Sequence, residues 1–398
     1  MPYTPAPTTI PSSGTAAGFG TEQISQYRRI FDVSKDIAFY NPNANPFYLL
    51  CQQANKKESI DPEFRCLEAQ IQPVFDDTSA TATSSGTTIS VDHGSYFKAA
   101  DLVQVTRTGE IFKVSSVSTN DLTVERAYGT VAGAAIVVDD ELRRIGNAFE
   151  EGGAIDTAKS VKVDTIINYT QIFKTSLQLT GTEMATTLYG GMDLPLRQKM
   201  AGIEHSMKIE SAFLFGQKKE YLVSSSTYAA TSHPERLTGG LLSFITSNKI
   251  SAGGSLSEAT FNKEFLRYVF TADKNYRKKR TLFVSPLVGA VMSSWAGGKI
   301  QLVPSDQTFG ITVNRYLSFF GEVNIVLHPL LEGDVYGGYC VAVDLENVGY
   351  RYLSGRDTNL QTDIVLDGHD FRCDQYLTEC GLSVRLEGVH GYAYGITG

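Results

Sequence analysis

The sequence predicts an α+β protein in which a long extended arm leads into a long helix and carries a small all-β domain. The main evidence is residues 165–182, a run rich in Thr and Ile that no turn residue interrupts before Gly181. Such side chains suit a pleated strand, and an extended run of this length would span roughly 50 Å. An ordinary strand has roughly 3–10 residues. The run therefore indicates either an arm covered by neighbouring copies or two shorter strands joined by a kink near Thr175.

A long helix is predicted directly after this run. Asp193 is placed to be its N-cap, Pro195 lies just inside its start, and Gly216 suits its end. From Leu194 to Phe215 the helix would be about 33 Å long at ~1.5 Å per residue. One helical stripe is apolar and consists of Met192, Leu196, Met200, Ile203, Met207 and Leu214. Charged residues face the other way, so we expect a surface helix lying on a sheet.

Short β-type runs at ~8–12-residue spacing fill residues 87–140, and this spacing is typical of a small barrel or sandwich. The runs are Thr87–Val91, Leu102–Thr106, Ile111–Val117, Leu122–Glu125 and Ala135–Val138. The apolar stretch Val131–Val138 is expected to be a buried strand. We interpret this region as a domain inserted at the tip of the arm, with Glu68–Phe75 as the outgoing arm strand.

The second half of the chain alternates helices and strands. Ser255 and Glu258 are placed for the capping box of a second helix. A third helix is predicted from Pro286 to Trp295, directly after a buried strand. The predicted strands are Thr281–Ser285, Val323–Leu327, Tyr339–Val343, Asn347–Leu353 and a last one in residues 381–387, with Leu382, Val384 and Leu386 on one face.

Three phrases carry a family resemblance, namely residues 168–174 (NYTQIFK), residues 179–182 (LTGT) and residues 377–385 (LTECGLSVR). Their order and spacing, together with a long arm that leads into a long helix, resemble the major capsid protein of tailed double-stranded-DNA bacteriophages. The resemblance covers most of the chain from about residue 30 onward. It implies the Hong Kong 97-like fold, with a peripheral domain, a long spine helix, an axial domain and an extended loop.

The resemblance also implies a division of the chain. The expected parts are an N-terminal arm (1–30), the extended loop and start of the peripheral domain (31–76 and 141–185), a β-rich insertion (77–140), the spine helix (186–235), the axial domain (236–372) and a C-terminal strand of the peripheral domain (373–398). Residues 1–25 are rich in Pro, Ser, Thr and Ala and lack core-forming residues, which predicts disorder in the free subunit.

The implied function is that of a coat protein which self-assembles into the icosahedral head around the genome. The expected partners are other copies in hexamers and pentamers, together with portal, scaffold and decoration proteins. Packaged DNA would be contacted only weakly, and assembly would take place in the host cytoplasm, with the protein ending in the virion. The residues expected to make assembly contacts are Tyr169, Ile172, Phe173, Lys174 and Trp295.

Composition is compatible with this interpretation. The net charge of −8 argues against tight binding of nucleic acid through phosphate neutralisation. The five cysteines are widely spaced and contain no C-x-x-C pair, which predicts free thiols in a reducing compartment. There is no signal-peptide pattern, and no apolar run approaches the roughly 18 residues that would suggest a membrane span.

No catalytic motif is found, and we expect neither an enzyme nor a bound metal or cofactor. Asp367, His369 and Asp370 are interpreted as a solvated turn. Asp76-Asp77 and Asp139-Asp140-Glu141 are interpreted as solvated strand ends. The basic run Lys274–Arg280 is better explained by the end of a helix than by DNA contact.

Three rival functions stay open at this stage. An encapsulin-like compartment shell would use the same fold to enclose a cargo enzyme, and a cargo-peptide partner would favour it. A secreted β-rich adhesin is disfavoured because there is no signal peptide. An enzyme is disfavoured because the catalytic constellations are missing.

Overall fold

The computed structural model describes residues 45–69, 73–152, 163–186, 193–224, 232–272, 279–295, 300–301, 314–365 and 368–397. The expectations for the N-terminal arm (1–30), for residues 274–278 of the basic run and for Asp367 lie outside these residues. The helices are α1 (Pro46–Ala54), α2 (Gly181–Ala185), α3 (Asp193–Phe215), α4 (Leu241–Phe244), α5 (Glu258–Thr260), a π-helical segment (Phe261–Leu266), α6 (Arg267–Thr271), α7 (Pro286–Trp295) and α8 (Gly333–Tyr336).

The first half of the described chain is rich in strands. They are β1 (Lys56–Ser59), β2 (Glu63–Ala69), β3 (Phe75–Asp77), β4 (Thr88–Ser90), β5 (Asp101–Val105), β6 (Ile111–Ser118), β7 (Asp121–Glu125), β8 (Glu141–Asn147), β9 (Val163–Tyr169) and β10 (Gln171–Thr180).

The remaining strands follow the long helix α3. They are β11 (Lys219–Ser224), β12 (Ser232–Leu237), β13 (Lys249–Gly254), β14 (Lys279–Val284), β15 (Ile300–Gln301), β16 (Asn314–Leu317), β17 (Glu322–Leu327), β18 (Cys340–Val343), β19 (Val348–Leu353), β20 (Asn359–Gln361), β21 (Phe371–Val384) and β22 (Gly391–Ile396).

The long helix lies across a sheet, as its sequence pattern predicts. This sheet, here called the spine sheet, has the order β1-β19-β21-β10, with β20 also paired to β21. Strand β10 pairs antiparallel with β21 from Gln171 opposite Cys380 to Thr180 opposite Phe371. Helix α3, the spine helix, packs on β10 and β21.

The face of the spine helix that meets the sheet differs from the predicted stripe. The buried side chains are Ala201, His205, Ile209 and Phe213, with Glu210 and Leu214 beside them, whereas Met200 is half exposed. The first four are spaced by four residues and form one row along the helix. Because this row contains the polar residue His205, a search for apolar residues at helical spacing does not find it.

The run that suggested one long strand is two strands, and the break falls at Thr170 rather than near Thr175. Strand β9 pairs with β2 to form a separate hairpin, while β10 belongs to the spine sheet. At the break, the Thr170 N–H donates to the carbonyl oxygen of Pro62 at 2.8 Å. The Thr170 hydroxyl donates to Glu379 Oε1 at 3.1 Å. We call the β2–β9 hairpin the arm.

The outgoing arm strand was predicted at Glu68–Phe75, and this prediction is wrong. The strand that pairs with β9 is β2, from Glu63 opposite Tyr169 to Ala69 opposite Val163. Phe75 lies in β3 and pairs with Arg143 in another sheet. The earlier start buries Phe64 beneath the arm where it meets the spine sheet, and a long apolar-rich segment gives no local sign of that register.

The predicted small barrel or sandwich is a barrel. Its sheet has the order β3-β8-β5-β6-β7-β4, and a bridge between Thr78 and Val91 joins the two edge strands. Its interior is apolar and includes Val103, Phe112 and Leu142. The apolar stretch Val131–Val138 is not a strand. It is a loop that buries Ile136 and leaves Val137 and Val138 about half exposed.

A second sheet, here called the axial sheet, has the order β13-β22-β18-β14-β17-β16-β15. Helix α7 begins at Pro286 and ends at Trp295, as predicted. The N-cap of the helix before it is Ser257 rather than Ser255, because the Ser257 hydroxyl accepts a hydrogen bond from the Thr260 N–H at 3.2 Å.

Two predicted boundaries in the second half are wrong. Strand β19 was assigned to the axial domain, but it pairs with β1 and β21 in the spine sheet. Residues 391–396 were assigned to the peripheral domain, but they form β22 of the axial sheet. The chain leaves the spine sheet at Leu386, whose φ of 53° turns the backbone away from the strand. Alternation of apolar residues cannot reveal such a turn.

Candidate functional site

The arm has a buried root and an exposed distal half. Phe64, Cys66 and Asn168 are buried at the root. Towards the tip, Leu67 is 69% exposed and Val163 is 56% exposed. Apolar side chains on a projecting two-stranded hairpin are typical of a surface that another chain covers. The candidate site is therefore an assembly surface.

Asn168 fixes the root of the arm. Its Oδ1 accepts the N–H groups of Gly239 at 2.7 Å and Tyr169 at 2.9 Å. Its amide Nδ2 donates to the Leu382 carbonyl at 2.6 Å and to the Gly239 carbonyl at 3.1 Å. One buried side chain thus joins the arm, the central strand of the spine sheet and the loop after β12. The sequence phrase contained Asn168, but nothing local predicted this role.

The arm root also depends on a close backbone approach. A Cβ atom at Gly381 would lie 2.5 Å from the Tyr169 carbonyl oxygen and 2.8 Å from the Phe64 ring. Only glycine allows the arm to cross the spine sheet at this distance. The direction in which the arm leaves the subunit is therefore set by packed backbone and by buried hydrogen bonds.

The predicted contact residues do not lie together. Phe173 is buried in the core shared by the spine helix and spine sheet, so it is not an accessible contact. Ile172 is 50% exposed, and with Lys174 it lines an open groove between β10 and the spine helix. Tyr169 is the last residue of β9 and is half buried. Trp295 packs against Phe261 in the core beside the axial sheet, with the two ring centres 5.5 Å apart. The expectation that residues 172–174 lie on the arm is wrong, because the chain rejoins the spine sheet at Gln171.

Glu210 joins the spine helix to two other elements, and sequence analysis missed it. Its carboxylate accepts the N–H groups of Phe47 at 2.8 Å and Tyr48 at 2.5 Å, at the start of α1. It also accepts a hydrogen bond from His328 Nε2 at 2.6 Å. His328 Nδ1 accepts the Leu330 N–H, so the ring hydrogen on Nε2 points at Glu210. Both side chains are fully buried.

His205 lies buried between two threonine hydroxyls of the spine sheet. Lys208 donates to the Thr175 hydroxyl at 3.2 Å, and that hydroxyl contacts His205 Nδ1 at 3.1 Å. His205 Nε2 lies 2.7 Å from the Thr378 hydroxyl, which in turn donates to Thr358. Burial, with the nearby charge of Lys208 as a second cause, lowers the pKa of His205 to about 4.

His390 is a second buried neutral histidine. Its Nδ1 accepts the Asp344 N–H at 3.2 Å, and its Nε2 donates to the Arg385 carbonyl at 3.2 Å. Burial lowers the pKa of His390 to about 4. His205 lies on the spine helix and contacts the spine sheet, whereas His390 directly precedes β22 of the axial sheet.

Acidification should destabilise the subunit in a window set by these histidines. In the unfolded chain both rings protonate near pH 6.5, whereas in the folded chain they resist protonation down to about pH 4. Their stabilisation is complete above pH 6.5 and is lost as pH falls towards 4. Between pH 7 and 5 we expect a loss on the order of 2 kcal/mol for each ring.

Urea unfolding of the full chain at pH 7 and 5 measures this loss. The double variant His205→Gln/His390→Gln should show a much smaller difference between the two pH values, and the exposed-site variant His233→Gln should behave like the parent. An equal pH dependence in the parent and the double variant would contradict the assignment.

Two of the five acidic residues expected at solvated strand ends, Asp76 and Asp140, are instead buried, whereas Asp77, Asp139 and Glu141 are exposed as expected. Asp76 is buried and lies 2.9 Å from His93 Nδ1, and Asp140 is buried against Arg107 at 2.6 Å. The Arg107 guanidinium, as the main cause, lowers the pKa of Asp140. Among the residues that the structure describes, no group of His, Cys, Asp and Glu is arranged to hold a metal ion.

A buried ion pair organises the loops of the barrel. Arg126 binds the Glu110 carboxylate through Nε and Nη2, each at 2.7 Å. The same guanidinium donates to the carbonyl oxygens of Thr83 and Ala134. The role of Arg126 was missed because charged residues give no sequence signal of burial.

Removing Arg126 should destabilise the barrel specifically. Arg126→Met leaves the buried Glu110 carboxylate without its partner, which costs about 3–5 kcal/mol. Hydrogen exchange of the full chain should rise throughout residues 75–147 and stay unchanged in the spine helix. Arg65→Met removes an exposed ion pair on the arm and should leave hydrogen exchange unchanged both in the barrel and in the spine helix. Unchanged protection of the barrel in Arg126→Met would contradict this role.

At the end of the basic run, Lys279 is exposed, whereas Arg280 is buried and so is not accessible to DNA. Arg280 lies 3.5 Å from Asp344 and stacks on the Phe270 ring. His369, the other candidate for chemistry, is exposed and packs on Phe371. Within the described part of the chain, no helix combines the length and apolar character needed to cross a membrane.

The architecture defines a class of protein. A long helix lying across one sheet, a second sheet-based body and an arm that carries an inserted barrel are the parts of a Hong Kong 97-type capsid subunit. The capsid of a native GTA particle is similar, with a TM-score of 0.51 and 9% identity over 96% of this chain and 100% of that chain. This likeness shows the fold.

The sequence itself shows the family. The profile of the SU10 major capsid protein family matches residues 12–397, and the chain belongs to that family. The major capsid protein of Pseudomonas phage PaMx41 is 23% identical over 293 residues, which is 71% of this chain and 68% of that protein. The chain is thus a major capsid protein, a structural protein that assembles with copies of itself into a phage shell.

The encapsulin alternative is not favoured. An encapsulin complex from Synechococcus elongatus is similar at a TM-score of 0.40 and 9% identity, over 59% of this chain and 78% of that chain. The family match over residues 12–397 identifies the chain as a viral coat protein.

Proposed function

We propose that this capsid protein builds an icosahedral head of hexamers and pentamers around double-stranded DNA. The exposed distal half of the arm is the observation that carries the proposal. Covering Leu67 and Val163 with a neighbouring subunit would contribute about 1.5–3 kcal/mol for each side chain. Each contact is modest, but every subunit offers one arm and receives another, so the closed shell gathers many of them.

The rigid root suits this role. The Asn168 hydrogen bonds and the close approach at Gly381 aim the arm, while the exposed strands beyond them are free to follow a neighbour's surface. Hexamers and pentamers present slightly different neighbours to the same chain. A fixed root with an adaptable distal half would allow the same arm to bind its neighbour in a hexamer and in a pentamer.

The remaining expectations form part of the same proposal. The net charge of −8 supports a lining that contacts packaged DNA only weakly. The protein would act without catalysis, assemble in the host cytoplasm and meet portal, scaffold and decoration proteins there. Of the predicted contact residues, exposed Ile172 and Lys174 are proposed as neighbour contacts of the groove beside the spine helix.

Carboxylates placed on the arm test the proposal. The double variant Leu67→Asp/Val163→Asp should give folded subunits, since both positions are exposed, but the assembled fraction in sedimentation should fall at least tenfold. Val137→Asp, at an exposed position of the barrel, is the matched control and should assemble normally. Normal assembly of the arm variant, with parent-like circular dichroism, would overturn the proposed use of the arm.

A further inference from the structure

Four tyrosines form a continuous aromatic surface at the axial sheet, here called the tyrosine platform. Its members are Tyr336, Tyr339, Tyr392 and Tyr394. The Tyr339 ring lies 5.8 Å from Tyr392 and 5.9 Å from Tyr394, and Tyr336 lies 5.2 Å from Tyr339. Phe215, the last residue of the spine helix, extends the surface through a 4.4 Å ring contact with Tyr336.

The platform is open to a partner. Tyr336 and Tyr394 are each 37% exposed, and Tyr339 and Tyr392 are partly exposed. None of the four hydroxyls forms a hydrogen bond with a residue in the described ranges. Burial raises the pKa values of Tyr339 and Tyr392 above the ordinary value, and a protonated tyrosine hydroxyl can donate a hydrogen bond. The platform thus combines flat ring faces with free donor groups.

Proline-rich chains match this chemistry. Aromatic-lined grooves recognise P-x-x-P segments, because proline rings pack on flat faces and the polyproline II backbone leaves its carbonyl groups free to accept hydrogen bonds. Tyrosine supplies both the face and the donor. The extended conformation is largely preformed by the proline ring, so binding costs little conformational entropy.

This chain carries such a segment at residues 2–11. Pro2-Tyr3-Thr4-Pro5 has the P-x-x-P spacing, and Pro7 and Pro11 follow. Residues 1–20 contain no charged side chain, so docking would bury no charge. The platform consists mainly of rings and hydroxyls, with the Lys249 ammonium 5.9 Å from the centre of the Tyr392 ring, and such a surface suits an uncharged segment.

Chain length permits docking on another subunit. Residues 12–44 separate the segment from the first described residue, and an extended stretch of that length reaches at most roughly 110 Å. A compact chain of this size has a radius of gyration of about 20 Å. The segment can therefore leave its own subunit and reach a neighbour.

We propose that the tyrosine platform of one subunit binds residues 2–11 of a neighbouring copy. The prolines pack on the rings of Tyr336, Tyr392 and Tyr394, and the hydroxyls donate to carbonyl oxygens of the segment. The platform would give the N-terminal segment a defined binding site on the shell. This inference rests on the proposed assembly into shells.

Site-specific cross-linking in the full chain tests the inference. The photoreactive residue p-benzoylphenylalanine replaces Tyr3, heavy and light isotope-labelled copies are mixed and assembled, and the irradiated product is digested. We expect cross-links to peptides that contain residues 336–339 or 392–394, with heavy–light pairs among them. The same mixture is also irradiated as concentrated unassembled protein.

Matched variants make the test specific. Tyr336→Ser/Tyr394→Ser should reduce the platform cross-links at least tenfold, whereas Tyr128→Ser, at an exposed tyrosine of the barrel, should leave them unchanged. Replacing Pro2, Pro5 and Pro7 by alanine should reduce them likewise, without touching the folded body. This second variant keeps the test valid if the platform variant unfolds.

The outcomes separate the inference from the proposed function. Cross-links that map elsewhere, or that join only residues of the same copy, would overturn the inference even if shells form. Failure to form shells would overturn the proposed function, while heavy–light platform cross-links in unassembled protein would still support the binding of the segment.

Discussion

Replacing Glu210 by alanine should lower the free energy of unfolding by about 3–5 kcal/mol, the range measured when one partner of a buried polar pair is removed. The change would leave the N–H groups of Phe47 and Tyr48 and the Nε2 hydrogen of His328 buried without an acceptor. Each unsatisfied buried donor costs roughly 1–3 kcal/mol. Equilibrium urea unfolding, followed by circular dichroism, measures the loss.

Two variants frame this expectation. Glu210→Gln keeps a carbonyl acceptor and should cost clearly less than alanine. Glu220→Ala, which removes an exposed pair with Arg236, should change stability by less than about 1 kcal/mol. If Glu210→Ala were as mild as Glu220→Ala, the junction between the spine helix, α1 and β17 would not depend on this carboxylate.

Adjacent residues of β10 should respond in opposite ways to the same substitution. Phe173→Asp should prevent folding, because it removes a core ring and buries a carboxylate without a partner, a change that costs several kcal/mol. Ile172→Asp should leave the subunit folded, since this side chain is half exposed, but it should impair assembly. Circular dichroism reports folding, and sedimentation reports assembly.

Lys174→Glu serves as a companion on the exposed side of the same strand and should also yield folded subunits. Folded, soluble Phe173→Asp subunits would contradict the placement of this residue in the core. Parent-like assembly of Ile172→Asp would remove Ile172 from the proposed contact surface without affecting the fold.

The sequence was sufficient for elements whose signal is local. The spine helix was predicted at Leu194–Phe215 and is observed at Asp193–Phe215, because an early proline and a terminal glycine mark its ends, although Asp193 is its first residue and not its N-cap. Four of the barrel strands lie within a residue or two of their predicted positions, since turn residues separate them. Turn chemistry acts over a few residues, so it can be recognised without knowledge of the fold.

The sequence was insufficient wherever distant partners decide. At Thr170 the strand partner changes from β2 to β21, but the sequence is a continuous β-type run and gives no signal of this change. The burial of Glu210 and Glu110 depends on His328 and Arg126, which lie 118 and 16 residues away in the chain. A strand such as β21, buried on both faces near its end, does not alternate in the way a surface strand does.

A reconstruction of the assembled particle would test the central claim most directly. The account predicts a closed shell in which Leu67 and Val163 of each arm are covered by an adjacent subunit. The root, held by Asn168, should keep the same geometry in every environment of the shell. A closed shell in which the distal arm faces solvent, or an arm folded back on its own spine sheet, would contradict the account.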